Sequence, residues 1–438
     1  MGSTVAFLPD SRGRAEQNAG PEEPLVIFTE FTDYGESLLV SPASESEQAD
    51  AAETLNRELG PRVYNDELPA GKLRVSPHVE MRATFDDNIF IQSKNEVEDF
   101  IFTLSPGLTI GFWDSKERRT DTFLDRQDPV TPLNRGSGTY FAVDYTAILL
   151  GFARTHSQNA FDQDARIDGR VRAEKWTLGG GLRYESKSEA NTDIGTRIRR
   201  KTLSAEAEAA YRFSDKTSID TTASIRANDP EDYVRSTAVQ IESFATYDAT
   251  PLVRVGLGGA FGGVAVDGGS DDVFERALAR VAYQYSDKLD FEVRGGVEFR
   301  QSDGPAGDRV SPIFRLLANY RPTEGTRVAV EAFQSVETSE FRPDESYERT
   351  GFTGSIQRAI RPAIHLHLDA GYQQTDYSGL ASETERRDHY FFMRPGILYN
   401  IVDWANAGMT YEFRDNDSNR ADSNFRNNQV SFQVNIIY

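Results

Sequence analysis

Two histidines stand two residues apart in IHLHLDAGYQ, His365 and His367. That spacing puts both imidazoles on one face of a strand, where they could share a divalent metal. Nucleophilic catalysis asks for a base beside the nucleophile, usually His. The chain has five: His78, His156, His365, His367 and His389. Parity sets His78, His365 and His367 on polar strand faces and His156 and His389 at a loop side. The apolar face carries none, and an enzyme attacking lipid would need one there. Acid pairs such as Asp86/Asp87 and Asp271/Asp272 suit turns and solvated loops better than acid–base work. DGGSDD (267–272) and RDNDSN (414–419) offer oxygen ligands without EF-hand spacing. The chain has no Cys, which removes disulfides and thiolate metal sites. The reading is of no catalytic residue, no metal and no cofactor.

Arginine is the chemistry that remains, since Lys supplies only 8 of the 48 basic residues. On polar-parity positions stand Arg166, Arg170, Arg172, Arg183, Arg212 and Arg254, followed by Arg280, Arg294, Arg300 and Arg315. Carboxylates are interleaved with them, Glu292, Glu298 and Glu412 foremost, with Asp168, Glu174, Glu206, Glu208 and Asp290. A guanidinium pairs bidentately with a carboxylate on a neighbouring strand. Rings of one sign would select ions, whereas a wall of mixed sign suits hydrated polar solutes. Bracing of the wall by these pairs explains part of the pattern as well.

The elements that hold these side chains alternate with a period of two. In LDFEVRGGVEFR, Leu289, Phe291, Val293, Val297 and Phe299 face one way, and Asp290, Glu292, Arg294, Glu298 and Arg300 the other. IHLHLDAGYQ, ANAGMTYEFR, WTLGGGLRYE and LSAEAEAAYRF repeat the pattern. Tight connections (EKW, FSDKT, DATPL, SDKL, RPTEGT, IRPA, NIVDWA) take turns with longer polar ones, among them SKSEANTDIGTRIRR, RANDPEDYVRS and ETSEFRPDESYE. Eighteen strands follow, with 16 as the alternative, from residue 73 to 438. An even count puts both ends on the tight-turn rim. Residues 113–138 break the rule as a long charged insertion on that rim. Residues 1–72 lack the period and read as an acidic, mostly irregular extension.

Composition narrows the class. Tyr and Phe number 18 and 27 and Gly 34, while mean hydropathy is −0.54. Disordered chains are poor in aromatics, and a thick soluble core would need more aliphatics. No apolar stretch is long enough for a spanning helix. Net charge is −21, which disfavours nucleic acid. Residues 1–70 supply −10 of it, four Arg against 14 acids. A transmembrane antiparallel up-and-down β-barrel satisfies all of this: apolar toward lipid, polar toward a lumen, aromatics near the rims and every edge paired. The chain ends SFQVNIIY. There Phe432, Val434, Ile436 and Tyr438 resemble the C-terminal signal that bacterial outer-membrane barrels offer their assembly machinery. The resemblance implies the outer membrane, and with it an export leader that MGSTVAFLPD does not supply.

RVSPHVEMRATFDDNIF followed by DFIFTLSPGLTIGF resembles the β-barrel porin family associated with exopolysaccharide loci. The matches are Thr84 to Phe90, with Phe85 where the family often has Tyr, and Ser105 to Leu108. Residues 1–72 and the insertion fall outside the likeness. It implies a porin-like protein that passes or anchors secreted polysaccharide alongside periplasmic export components, and it carries over no catalytic residue. A plug-bearing 22-strand transporter is disfavoured, since 72 residues are too few for a folded plug. The competing expectation is a non-conducting surface scaffold that works through its acidic external loops.

Overall fold

The period of two becomes a continuous run of β-strands in a computed structural model, which describes residues 72–113, 139–304, 307–323, 325–378, 386–402 and 404–437. The strands are β1 (Lys72–Asp86), β2 (Asp99–Trp113), β3 (Tyr140–Phe152), β4 (Ala160–Arg172), β5 (Trp176–Asn191) and β6 (Thr196–Arg212). Next come β7 (Thr217–Pro230), β8 (Ser236–Thr250), β9 (Val253–Val266), β10 (Asp272–Ser286), β11 (Leu289–Ser302) and β12 (Arg309–Thr323). The last six are β13 (Thr326–Thr338), β14 (Ser346–Arg361), β15 (Ile364–Ser378), β16 (Arg387–Val402), β17 (Ala405–Ser418) and β18 (Phe425–Ile437). Each pairs antiparallel with its sequence neighbours, and β1 pairs with β18, which closes an 18-stranded barrel. Among the described residues no helix is long and apolar enough to cross a membrane.

The strand count and fold class expected from the sequence hold, with Lys72 already in β1. Lys72 pairs with Trp113 and Trp113 with Tyr140, so the flanks of the 113–138 insertion lie on the rim of both chain ends. The extension before Lys72, the interior of that insertion and Tyr438 lie outside the described residues.

Outward parity carries the expected apolar side chains. Leu257, Phe261, Val293, Phe299 and Phe432 are all exposed on the outer wall. Rings gather at the tight-turn rim, where Trp176 lies 4.6 Å from Tyr211 and Tyr211 lies 4.8 Å from Phe213. Strands of 13 to 17 residues exceed the nine to eleven or so that a bilayer needs. The surplus is at the long-loop rim, where the outer wall turns charged: Arg426 pairs with Asp415 at 2.9 Å, and Arg387 with Asp376.

One expectation needs correction. SKSEANTDIGTRIRR is no loop, because β5 and β6 run on through it and leave only residues 192–195 as a turn. The pairing of β4 with β5 ends at Ser186, and that of β6 with β7 begins at Arg200. Residues 187–199 therefore form a two-stranded ribbon that leaves the wall.

Candidate solute path and its mouth

The inner wall is built around a bare strand. In the middle of β9 the inward positions are Gly256, Gly258, Ala260 and Gly262, so side chains of the flanking strands lie flat across it. A Cβ at Gly258 would sit 2.6 Å from Phe244 Cδ1, and one at Gly262 would sit 2.5 Å from Phe274 Cζ. Over this glycine floor arginines reach sideways past their neighbours. Arg280 of β10 pairs with Asp220 of β7, and Arg294 of β11 with Glu242 of β8.

That reach has an electrostatic cause. Arg280, Arg294 and Arg315 are direct register partners on three adjacent strands, and like charges placed opposite each other repel. Fanning apart gives each its own carboxylate, and Arg315 meets Glu331 at 2.7 Å. Further along, Glu298 is shared between Arg276 at 2.6 Å and Arg300 at 2.8 Å. The rings beneath carry charge too: Arg280 stands 4.2 Å from the Phe244 centroid and Arg276 stands 4.5 Å from that of Phe274. Glycine, phenylalanine and arginine thus stack in three layers.

The arginines and glutamates of the polar-parity faces stand on inward positions of the strands. Arg170, Arg280, Arg294, Arg300, Arg315, Glu292 and Glu298 are buried there. Arg166 and Arg183 share Asp164 at 3.2 and 3.1 Å, and Glu412 meets Arg394 at 2.7 Å. Arg172 shares that inward parity, while Arg212 and Arg254 sit lower, near the tight-turn rim, donating to the Glu174 carbonyl and to Asp248. Sequence parity did not single out Arg276, Arg349, Arg394 or Glu242, although they stand on the same faces. Nor did it expect the inward apolar cluster of Phe244, Ala260, Leu278 and Ile313. The signal was there in DVFERALAR, where Phe274 and Leu278 share the parity of Arg276 and Arg280.

The inward histidines serve as packing. The His367 ring fills the space above its register partner Gly396, and His78 does the same over Gly107, donating to or accepting from Thr146 Oγ1 at 3.1 Å. Gly107 belongs to the SPGL stretch, which thereby gains a steric reason. No cluster of three or more metal-ligating side chains occurs among the described residues.

TFDDN has a reason as well. Asp87 accepts from the Asn428 backbone N–H at 2.7 Å and from Asn428 Nδ2 at 2.6 Å, while Asp86 accepts from Gln429 Nε2 at 2.9 Å. These bonds clamp the end of β1 to β18 across the closing seam. Asn88 then bends the loop inward through Gln92 N and O, each at 2.9 Å. Ile91 follows at φ 47°, a strained value for a β-branched residue, and is held by Tyr390, Phe392 and Phe425.

At the long-loop rim the ribbon 187–199 spans the mouth. Its Ala190 packs against the cluster of Ile91, Tyr390 and Phe392 on the far wall. At its tip Asp193 accepts from Ser339 Oγ at 3.0 Å and from the Glu340 backbone N–H at 2.8 Å. Arg386 donates to the carbonyls of Asp193 and Thr192 at 2.8 and 2.9 Å, and to Asp388. Asn191 and Arg200 both hold Glu340, at 2.9 and 3.2 Å. The loop 339–345 is itself tied to its neighbours through Val234 N–H to the Glu340 carbonyl (2.9 Å) and Ser270 N–H to Asp344 (2.6 Å). Burial raises the Asp193 carboxyl above its ordinary range, partly offset by Arg386, and burial raises Glu345 as well.

Residues 275–438 match the family model described as "Putative beta-barrel porin 2", from within β10 to the end of the chain. The match leaves out residues 73–112, where the likeness in the sequence was read. Solved structures of similar shape include Pseudomonas aeruginosa OccK3 (OpdO), 10% identical over 83% of this chain and 95% of that one, with a TM-score of 0.44. Acinetobacter baumannii OccAB4 is 10% identical over 85% of this chain and 100% of that one, with a TM-score of 0.45. P. aeruginosa OpdK, solved with vanillate, is 10% identical over 83% and 99%, with a TM-score of 0.43. No curated protein matches.

Proposed function

We propose that the protein is a passive outer-membrane channel for polar solutes, with saccharides the favoured class. One observation carries the reading: a closed 18-stranded ring is apolar outside and lined inside by arginines paired to carboxylates. Lipid and water are then sorted to the two faces of one sheet, as a spanning barrel requires. A barrel of this size leaves an aqueous interior unless loops fill it. Sugars are hydrogen-bonding on every side and favour a mixed Arg, Asn, Gln and carboxylate wall over a field of one sign. Assembly would use the barrel-assembly machinery through Phe432, Val434, Ile436 and Tyr438, and a polysaccharide cargo would imply periplasmic export partners.

The spanned mouth favours a second reading, a surface scaffold that does not conduct. Current through planar bilayers separates the two. Discrete conductance steps together with saccharide flux into liposomes support the channel. Silence from well-folded protein, with and without the residues before Lys72, leaves the scaffold as the better account.

A further inference from the structure

Beside the spanned mouth, β14 to β17 and Arg309 of β12 border a cavity of about 750 Å³, ample for a small solute. Its lining carries charges of both signs, Glu348, Asp376 and Asp417 against Arg309, Arg386 and Arg387. Arg387 pairs with Asp376, and Glu348 accepts from Ser311 Oγ. Arg309 is different. Its two terminal nitrogens donate to Ser378 Oγ at 2.6 Å and Ser346 Oγ at 2.9 Å, and among the described residues no carboxylate reaches ion-pair distance. Its register partner Arg300 repels it and has Asp272 and Glu298 for itself, while Glu348 acts only from farther away. A guanidinium held by hydroxyls keeps its capacity for an anion.

Arg386 also lines this cavity, and it grips the ribbon tip together with Ser339 Oγ and the Glu340 N–H. The ribbon has no other sheet partner between Lys187 and Arg199, and a two-stranded ribbon is marginal on its own. Its position over the mouth therefore depends on the tip contacts, on Ala190 against the far-wall cluster and on the bonds from Ser188 to Asp162 at its base. Resting on the channel reading, we propose that the cavity docks an anionic saccharide and that docking releases the ribbon as a lid. The anionic group pairs with Arg309 and draws Arg386 off the carbonyls of Thr192 and Asp193. Sugar hydroxyls meet Asp417, Ser418 and Asn419 on the cavity's other side.

Calorimetric titration of the full chain in detergent, with glucuronate, glucose and acetate as probes, tests the site. Glucuronate should bind, glucose and acetate at least tenfold more weakly, and Arg309→Gln should cost glucuronate roughly tenfold in affinity. Arg309→Lys, which keeps the charge, should lose less, and an unshifted heat-modifiable gel band shows that each variant is folded. Equal affinity in wild type and Arg309→Gln, or equal binding of all three probes, overturns the site. The lid is tested by the double variant Asp193→Cys with Ser339→Cys, free of background because the chain has no Cys. Glucuronate should raise the open probability of the wild type and of the reduced variant, and fail to do so when the pair is oxidised. The same current rise in oxidised and reduced protein overturns the lid. A chain that binds glucuronate but never conducts refutes the channel reading and the coupling together. One that conducts without binding it refutes the site alone.

Discussion

Gly258 shows what a single hydrogen atom in place of a methyl group can hold. Its Cβ would meet the Phe244 ring and the backbone of the adjacent strand, so Gly258→Ala should push Phe244 inward and disturb Arg280 and Arg294 above it. Overpacking of this kind costs about 1–3 kcal/mol, read as a lower urea midpoint of the detergent-solubilised barrel. Arg294→Ala should cost more, about 3–5 kcal/mol, because it strands the buried Glu242 carboxylate. Adding Glu242→Gln should restore much of that loss, and no recovery in the double variant would show that the pair does not act as one unit. Parity alone was enough to put Arg294, Glu298 and Arg315 on the inner wall. The partners were hidden, because Arg280 passes over two strands to reach Asp220. Nothing in a one-dimensional pattern says that glycines between them clear the way.

Strands declare themselves by alternation, and all eighteen were visible for that reason. Residues 187–199 were not, since a ribbon that leaves the wall meets mostly polar side chains, Ala190 against the far-wall cluster excepted. SKSEANTDIGTRIRR therefore lacks an apolar stripe and reads as a loop. The seam offers the opposite case, in which a short stretch noticed for its resemblance turns out to clamp β1 to β18. Asp87 alone takes two bonds from Asn428. Asp87→Ala should slow barrel closure, raising the unfolded fraction of newly made protein on heat-modifiable gels. Unchanged folding kinetics would confine the clamp to a static role. Membrane position follows from register as well. Phe291 pairs with Tyr283 two residues from a tight turn, whereas Leu257 lies deeper on β9 and is exposed. Arg at Leu257 should thus cost about 2–4 kcal/mol of folding free energy in lipid, and Arg at Phe291 about 0–1. Equal costs would misplace the apolar belt.

For the molecule as a whole, mouth and wall differ in kind. The wall is fixed by a closed ladder of strand pairs, while the mouth is spanned by a ribbon held at its tip. A ribbon that lifts as proposed links the closed and open mouths to protons. In the closed state burial lifts the carboxyls of Asp193 and Glu345 above their ordinary range, despite Arg386 beside Asp193. Glu340, Tyr347, Tyr377, Asp388, Arg342 and Arg420 also face this cluster, and the Arg386 guanidinium stays charged throughout, the carboxylates of Asp388 and Asp193 outweighing its burial. Once the ribbon lifts, Asp193 and Glu345 return to water and to ordinary affinity. The closed form therefore binds protons more tightly, and linkage requires acid to favour it. Single-channel open probability should fall as pH drops from neutrality toward the ordinary carboxylate range, and recover on return. Asp193→Asn with Glu345→Gln should flatten that dependence and leave the conductance of the open pore unchanged. A channel that opens on acidification would mean that the pairing of Arg386 with Asp193 outweighs the burial of both carboxylates, and the mouth would then be held by charge.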